Sequence, residues 1–263
     1  MRIVTLMENT SLCDDLLCEH GLSLYIETGN QHILFDTGQS GAFADNAEKM
    51  GVDLRKIDYV VLSHGHYDHG GGLSRFFEVN KTAPVYLRKQ AFSRCYNAKN
   101  QYIGLDPALC AAARLRYVDD FLELAEGMTL HGGDGLREFF PAESFGLSVL
   151  KDGRLEKDRF SHEQYLVIRE NGKTVCVSGC SHRGIRNIVR WFRPDVLIGG
   201  FHFMKLDPDT SDAVVLEQAA AELLSYPTVY YTGHCTGEKQ FAFLKERMGS
   251  KLHALSTGTC LTL

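Results

Sequence analysis

The chain holds 263 residues, 44% of them hydrophobic, enough to bury a substantial core in one large domain or two small ones. Its formal net charge is −5, a poor match to nucleic acid, whose binding is led by Lys and Arg. No apolar run reaches the roughly 18 residues that suggest a membrane span, and the start, MRIVTLMENTSLCDD, turns acidic before any long apolar core and does not read as a secretory signal.

In chain order, RIVTL and LSLYIETGNQHILFDTG are rich in β-formers, and the break at Gly29-Asn30 predicts a hairpin. SGAFADNAEKMG reads as a helix ended by Gly51, and DYVVLS as a short buried strand. LSRFFEVN is predicted as a helix and APVYLRK as a strand. Residues 88–145 have a mixed, partly helical pattern. They are expected to form an insertion over a site, with tyrosines and phenylalanines such as Tyr96 and Tyr102 lining an apolar wall. QYLVIRENGKTVCVSGC predicts a hairpin through Asn171-Gly172. RGIRNIVRWF (helix), PDVLIGGFHF (strand), SDAVVLEQAAAELLS (helix), TVYYTG (strand) and GEKQFAFLKERMG (helix) complete the chain. Two strand-rich halves with helices at intervals predict an α/β chain of two sheets covered by outer helices. No repeat or linker interrupts the pattern, so residues 1–263 read as one domain.

None of the eight cysteines forms a C-x-x-C pair, which argues against a zinc ribbon or a thioredoxin-type site. They read as reduced thiols in a cytoplasm, mostly small buried apolar residues. Cys180, at the end of the strand-like VCVSG, is a separate case.

The densest chemistry lies in YVVLSHGHYDHGGGL, residues 59–73. Side chains at i and i+2 of an extended chain point the same way, so His64 and His66 can face one point. The chain then turns, bringing Asp68 and His69 to the start of the next helix. Gly70, Gly71 and Gly72 let backbone pass close by. Imidazole and carboxylate together suit zinc, and also iron or manganese. These ligands could serve two adjacent metals, one taking His64 and His66, the other Asp68 and His69. His182 lies two residues past Cys180 and could face the same way in extended chain. His162 precedes Cys180 by 18 residues across the hairpin. His202 ends another buried-type strand, in LIGGFHF; the roles of metal ligand, substrate contact and proton donor are all open to it. His20, in CEHGLS, is similar but weaker. His32, His131 and His253 have no motif around them.

SHGHYDHGGG resembles the H-x-H-x-D-H signature of the metallo-β-lactamase superfamily. GLSLYIETGNQHILFDTG, VCVSGCSH and YTGHCTG resemble its opening hairpin, its later ligand strand and its last histidine motif. EHGLS, SGCSH, GGFH and GHCTG together resemble a subgroup named after an archaeal dihydropterin ribofuranosylaminobenzene-phosphate synthase. The resemblance implies a four-layer αββα sandwich with two divalent metal ions, zinc first and iron or manganese as alternatives, at one edge between the sheets. It implies His234 as the final ligand of the second metal. It also implies a ligand at Cys180, where many members carry a bridging Asp and one subclass carries a zinc-binding Cys. For the third ligand of the first metal, His162 has the superfamily's placement and His182 the subgroup's motif; His182 is preferred.

The chemistry so implied is a metal-dependent hydrolase acting on a small molecule: an ester, phosphoester, thioester or lactone. Water beside a divalent metal loses its proton near neutral pH. Asp68 would ligate one metal and orient the hydroxide, and His202 could protonate the leaving group. The alternatives are a transferase of the subgroup's synthase type, and a non-catalytic metal-holding sensor. The flavodiiron branch is disfavoured, because it has Glu where His66 stands. A nucleic-acid substrate is disfavoured by the charge, and no membrane partner is expected.

Overall fold

The computed structural model describes residues 1–29 and 31–263. In chain order the elements are β1 (Arg2–Met7), β2 (Ser23–Thr28), β3 (Gln31–Phe35), α1 (Ala42–Lys49), β4 (Tyr59–Val61), α2 (Tyr67–Gly70), α3 (Leu73–Val79), β5 (Val85–Arg88), β6 (Cys95–Tyr96), β7 (Leu115–Val118), β8 (Phe121–Ala125), β9 (Met128–Gly132), β10 (Ser148–Lys151), β11 (Arg154–Lys157), β12 (Gln164–Glu170), β13 (Lys173–Val177), α4 (Ile185–Phe192), β14 (Val196–Ile198), α5 (Ala213–Leu224), β15 (Val229–Thr232), α6 (Glu238–Met248), β16 (Leu252–Ala254) and β17 (Cys260–Thr262).

Two seven-stranded sheets carry the fold, in the orders β17-β1-β2-β3-β4-β5-β7 and β16-β15-β14-β13-β12-β9-β8. Successive side chains of a strand face opposite ways, and that alternation builds the layers. Leu24 and Ile26 of β2, Val175 and Val177 of β13, and Val196 and Ile198 of β14 share one core between the sheets. Tyr25 turns the other way, into a cluster with Phe43 of α1 and Phe76 of α3. Cys176 and Leu197 likewise turn toward Ile188 of α4, Leu216 of α5 and Leu244 of α6. The result is helix, sheet, sheet, helix: the αββα sandwich. The central strands β4 (YVV) and β14 (VLI) are apolar throughout, as strands covered on both faces must be.

The predicted strands and helices outside 88–145 form near their expected positions. In the β12–β13 hairpin, Asn171 and Gly172 both take positive φ (51° and 75°), the backbone a tight two-residue hairpin turn needs. β2 pairs with β3 through Thr28↔Gln31; of the expected Gly29-Asn30 turn, Asn30 lies outside the described residues.

Residues 88–145 require correction. They are not a partly helical insertion but hold the last strand of the first sheet, β7, and the last two strands of the second, β9 and the edge strand β8. Their strands are four or five residues long, and the short 3₁₀ turns Lys89–Phe92 and Pro107–Ala111 blurred the pattern around them. Nor do the two halves keep to themselves: the terminal β17 returns to pair with β1, Arg2 opposite Thr262. A small third sheet, β11-β10-β6, was also not foreseen. No helix among the described residues is long and apolar enough to cross a membrane.

Strands β3, β4 and β5 run parallel, as do β13, β14, β15 and β16. The carboxyl ends of parallel strands are where open α/β sheets place their sites. Here Asp36 follows β3, residues 63–69 follow β4, Cys180 and His182 follow β13, His202 follows β14 and His234 follows β15.

Candidate metal centre

The loop after β4 is built to be close-packed. His64, His66, Asp68 and His69 are all buried. A side chain at Gly65 would collide with the Ala91 carbonyl, and one at Gly72 with the carbonyls of Thr37 and Ser40, so glycine is required at both. Asp36 organises the loop from the neighbouring strand. Its Oδ1 accepts the Ser63 backbone N–H at 2.7 Å, and its Oδ2 accepts the Ser63 hydroxyl at 2.7 Å. The same Oδ2 lies 2.7 Å from His69 Nδ1.

These bonds fix which ring nitrogens carry protons. His69 Nδ1 donates to a carboxylate, so Nε2 is the nitrogen it turns toward the centre, and a metal there would take the place of the second proton. The Ser63 hydroxyl spends its proton on Asp36 and must accept from His64 Nδ1 at 2.8 Å, leaving a lone pair on His64 Nε2. His234 Nδ1 faces Asn9 Oδ1 at 2.9 Å, which again leaves Nε2 bare.

The bare nitrogens converge. His69 Nε2 lies 3.2 Å from His234 Nε2 and 3.1 Å from Cys180 Sγ. Asp68 Oδ2 lies 3.3 Å from His234 Nε2 and 3.3 Å from His20 Nε2. Nearby, His64 Nε2 lies 3.3 Å from His182 Nε2. His66 Nε2 and His182 Nδ1 are buried with no hydrogen-bond partner. The ligand atoms of His64, His66 and His182 form one compact group; those of His64, His69 and Cys180, of Cys180, His234 and Cys235, and of His20, Asp68 and His234 form three more. Ligand atoms gathered this closely in a buried space suit a cation between them. Two nitrogens bound to one tetrahedral zinc at about 2.0–2.1 Å lie about 3.3 Å apart, the separation found here. The residues fit a metal.

The electrostatics agree. Burial, reinforced by neighbouring imidazoles, pushes His64 and His182 well below the usual histidine range and His66 to about 3, so these rings stay in the neutral, ligating form. Burial also opposes charging of His69, but the carboxylates of Asp36 and Asp68 outweigh it and raise His69 to about 9. Asp68 is likewise disfavoured by burial, yet His69, His20 and His234 hold it well below the usual carboxylate range. The space therefore attracts positive charge.

His162 and His182 occupy different environments. His162 Nδ1 accepts the Gly65 N–H at 3.1 Å, and its Nε2 faces Asp158 Oδ2 at 3.0 Å. Both nitrogens are spent holding the loop between His64 and His66. His182 has its backbone N–H fixed by Glu163 at 2.7 Å, and its ring stacks on Phe160 at 4.5 Å between centroids. His202 stands 4.2 Å from the His182 ring, with both ring nitrogens buried and unpartnered. Its φ of 57° is a conformation that a residue other than glycine holds only when its surroundings demand it.

The expected aromatic wall from 88–145 is met by Phe140 and Phe145, but its tyrosines need correction. Tyr96 and Tyr102 pack edge-on against each other, and the Tyr102 hydroxyl donates to the Leu105 carbonyl at 2.6 Å. The aromatic residues that border His182 and His202 are Phe140, Phe145, Phe201 and Phe203, around a cavity of about 100 Å³. Residues 103 and 104 do cover the metal loop, but with backbone: Tyr67 N–H donates to the Ile103 carbonyl, and Gly104 bridges His66.

Sequence reasoning missed Asp36, Asp158, Glu8, Glu163 and Cys235. Asp36, a lone carboxylate directly after a buried strand, offered a signal. Glu8, which accepts the His234 backbone N–H, and Asp158 offered none, because their partners are distant in sequence.

Comparison with known proteins agrees with this geometry. The profile of the metallo-beta-lactamase superfamily matches residues 17–155. The uncharacterized protein MJ0448 of Methanocaldococcus jannaschii is 29% identical over 253 residues, covering 93% of this chain and 94% of that protein. From the same organism, 7,8-dihydropterin-6-methyl-4-(beta-D-ribofuranosyl)-aminobenzene-5'-phosphate synthase is 26% identical over 270 residues, covering 91% of this chain and 88% of the relative. The crystal structure of Tm1679, described as a metal-dependent hydrolase of the beta-lactamase superfamily, superposes with a TM-score of 0.85 at 31% identity, covering 100% of this chain and 99% of that one.

Proposed function

Because this chain belongs to the metallo-β-lactamase superfamily, we propose that it is a metal-dependent hydrolase with a binuclear centre. His64, His66 and His182 hold the first metal; Asp68, His69, Cys180 and His234 hold the second. The observation that carries the reading is the set of buried imidazole Nε2 atoms facing one another at 3.2–3.3 Å. Likeness to Tm1679 supports the hydrolase class. Zinc suits the imidazole, thiolate and carboxylate set best, with iron or manganese as alternatives.

Bound divalent ions supply Lewis acidity to a carbonyl or phosphoryl oxygen and acidify water. The chain's own residues do the rest. Asp36 fixes the tautomers of His64 and His69. Asp68 Oδ2 orients the attacking water. The same oxygen lies 3.3 Å from His20 Nε2, which helps hold the carboxylate in place. His202, with unpartnered nitrogens beside His182, donates a proton to the leaving group. The four phenylalanines exclude water from that side and receive a small apolar part of the substrate. The substrate is a small molecule: an ester, phosphoester, thioester or lactone.

The test is metal analysis of the purified protein together with turnover of chromogenic esters, thioesters, lactones and phosphodiesters, before and after chelation. Metal binding with chelator-sensitive hydrolysis is expected; hydrolysis that survives complete removal of metal sinks the proposal. A synthase reading is favoured by the alignment with the dihydropterin synthase over 88% of that relative. Full metal occupancy with no hydrolysis of any of these substrates would move the balance to it.

A further inference from the structure

Cys235 has no part in the chemistry above, yet its sulfur lies in the same compact group as the Cys180 sulfur, the ligand atoms within 4.8 Å of one another. Both cysteines are buried, each 3% exposed. Cys235 Sγ donates to the Cys180 carbonyl at 3.4 Å. The backbone is bent to hold them there: Ser181, next to Cys180, and His234, next to Cys235, both take left-handed φ (57° and 49°). Gly200 makes room, since a side chain there would collide with the Cys235 sulfur. A cleft of about 560 Å³ reaches His234 and Gly237, on either side of Cys235 in the chain.

We infer that Cys180 and Cys235 form a reversible disulfide on exposure to a peroxide, and that this releases the second metal. The inference rests on the assignment of Cys180 as a ligand in the proposed centre. The chemistry balances with the peroxide as oxidant. One sulfur takes an oxygen from hydrogen peroxide to become a sulfenic acid, releasing water. The other thiol attacks that sulfur, forming the S–S bond and expelling the oxygen as a second water. Two thiols and one peroxide become one disulfide and two waters; where Cys180 starts as a metal-bound thiolate, one proton from solvent completes the second water. Cys180 then has no thiolate to offer, so the set formed with Asp68, His69 and His234 loses a member. A dithiol reductant restores it.

The experiment uses the full-length protein with the exposed Cys13, Cys18, Cys110 and Cys260 replaced by Ser, which leaves four buried thiols. Hydrogen peroxide is added while released metal is followed with a chromogenic chelator. Thiols are counted, and cross-linked peptides are mapped by mass spectrometry. The expected result is loss of two thiols, a mass decrease of two hydrogens, a Cys180–Cys235 peptide, release of one metal on the same time course, and reversal by dithiothreitol with added metal. In Cys235→Ser the cross-link is abolished and Cys180 gains oxygen instead. The inference is overturned if Cys180 gains oxygen without cross-linking in the parent, if either cysteine joins Cys95 or Cys176, or if the link forms with all metal retained. The peptide map of the parent decides the point even if Cys235→Ser fails to fold. A protein that carries no metal but still forms the link would overturn the metal reading and keep the disulfide.

Discussion

The N-terminal sheet sends four candidate ligands to the centre from one six-residue stretch after β4, residues 64–69. The C-terminal sheet sends them one strand end at a time: Cys180 and His182 after β13, His202 after β14 and His234 after β15. The first arrangement concentrates the risk. Few supports hold the whole stretch in shape: the close-packed Gly65 and Gly72, the Asp36 carboxylate and the His162 ring. The second spreads it, because each residue is positioned by its own strand and its own partner: Glu163 for His182, Glu8 and Asn9 for His234. Damage to the loop should therefore abolish metal binding, whereas damage on the other side should be graded.

The largest effect is expected where the loop is hit directly. His66→Ala with His69→Ala removes a ligand from each set, and metal content should fall from about two ions per chain to near zero. Elemental analysis of gel-filtered protein checks this; unchanged content would discard the whole centre. Cys180→Ser should come next. A hydroxyl is a much poorer zinc ligand than a thiolate, so the second metal should be lost preferentially. The loss in affinity should exceed the roughly 10–100-fold cost of removing an outer partner. Competition with a chelator of known affinity measures it. Equal loss of both metals would show that the sets are not separate.

Asp36→Asn probes the concentrated side without touching a ligand. The amide has one acceptor oxygen and turns a donor NH2 to the other side, so it cannot accept the full set that both carboxylate oxygens take from Ser63 and His69. Both metals should weaken, each by about 10–100-fold, because one carboxylate serves both His64 and His69. If only one metal weakens, the loop is less unified than its hydrogen bonds imply.

The same contrast explains what could be read in advance. The loop was legible because its spacing, glycines and preceding strand all sit within about fifteen residues of sequence. Cys180 and His234 were legible only through likeness to a family, since nothing local distinguishes a strand-end cysteine that ligates from one that packs. Asp36 left only the trace of a carboxylate directly after a buried strand, and Asp158 and Cys235 were not legible as partners at all. His162 and Cys95, which pack together across 67 positions, meet only after both sheets have formed. The strands of 88–145 were misread because four residues such as LRYV, between 3₁₀ turns, carry too little period to separate strand from helix. β17 was missed for the same reason: three residues acquire meaning only by pairing with β1.

The smallest effect on metal content is expected from His162→Ala, compared with His182→Ala. Superfamily placement favours His162 as the third ligand of the first metal. The hydrogen bonds favour His182. An imidazole that accepts the Gly65 N–H at Nδ1 must carry its proton at Nε2, which it gives to Asp158, so neither nitrogen is free for a metal. His182 has an unpartnered Nδ1, and its Nε2 faces the bare Nε2 of His64. His182→Ala should lose the first metal. His162→Ala should keep it, while stability falls by roughly 2–5 kcal/mol because a buried carboxylate and a buried N–H are left unpaired. Thermal unfolding and metal analysis of the same samples separate the two effects. A His162→Ala protein that loses the first metal, beside a His182→Ala protein that keeps it, would reverse the assignment and return the centre to the superfamily's usual placement.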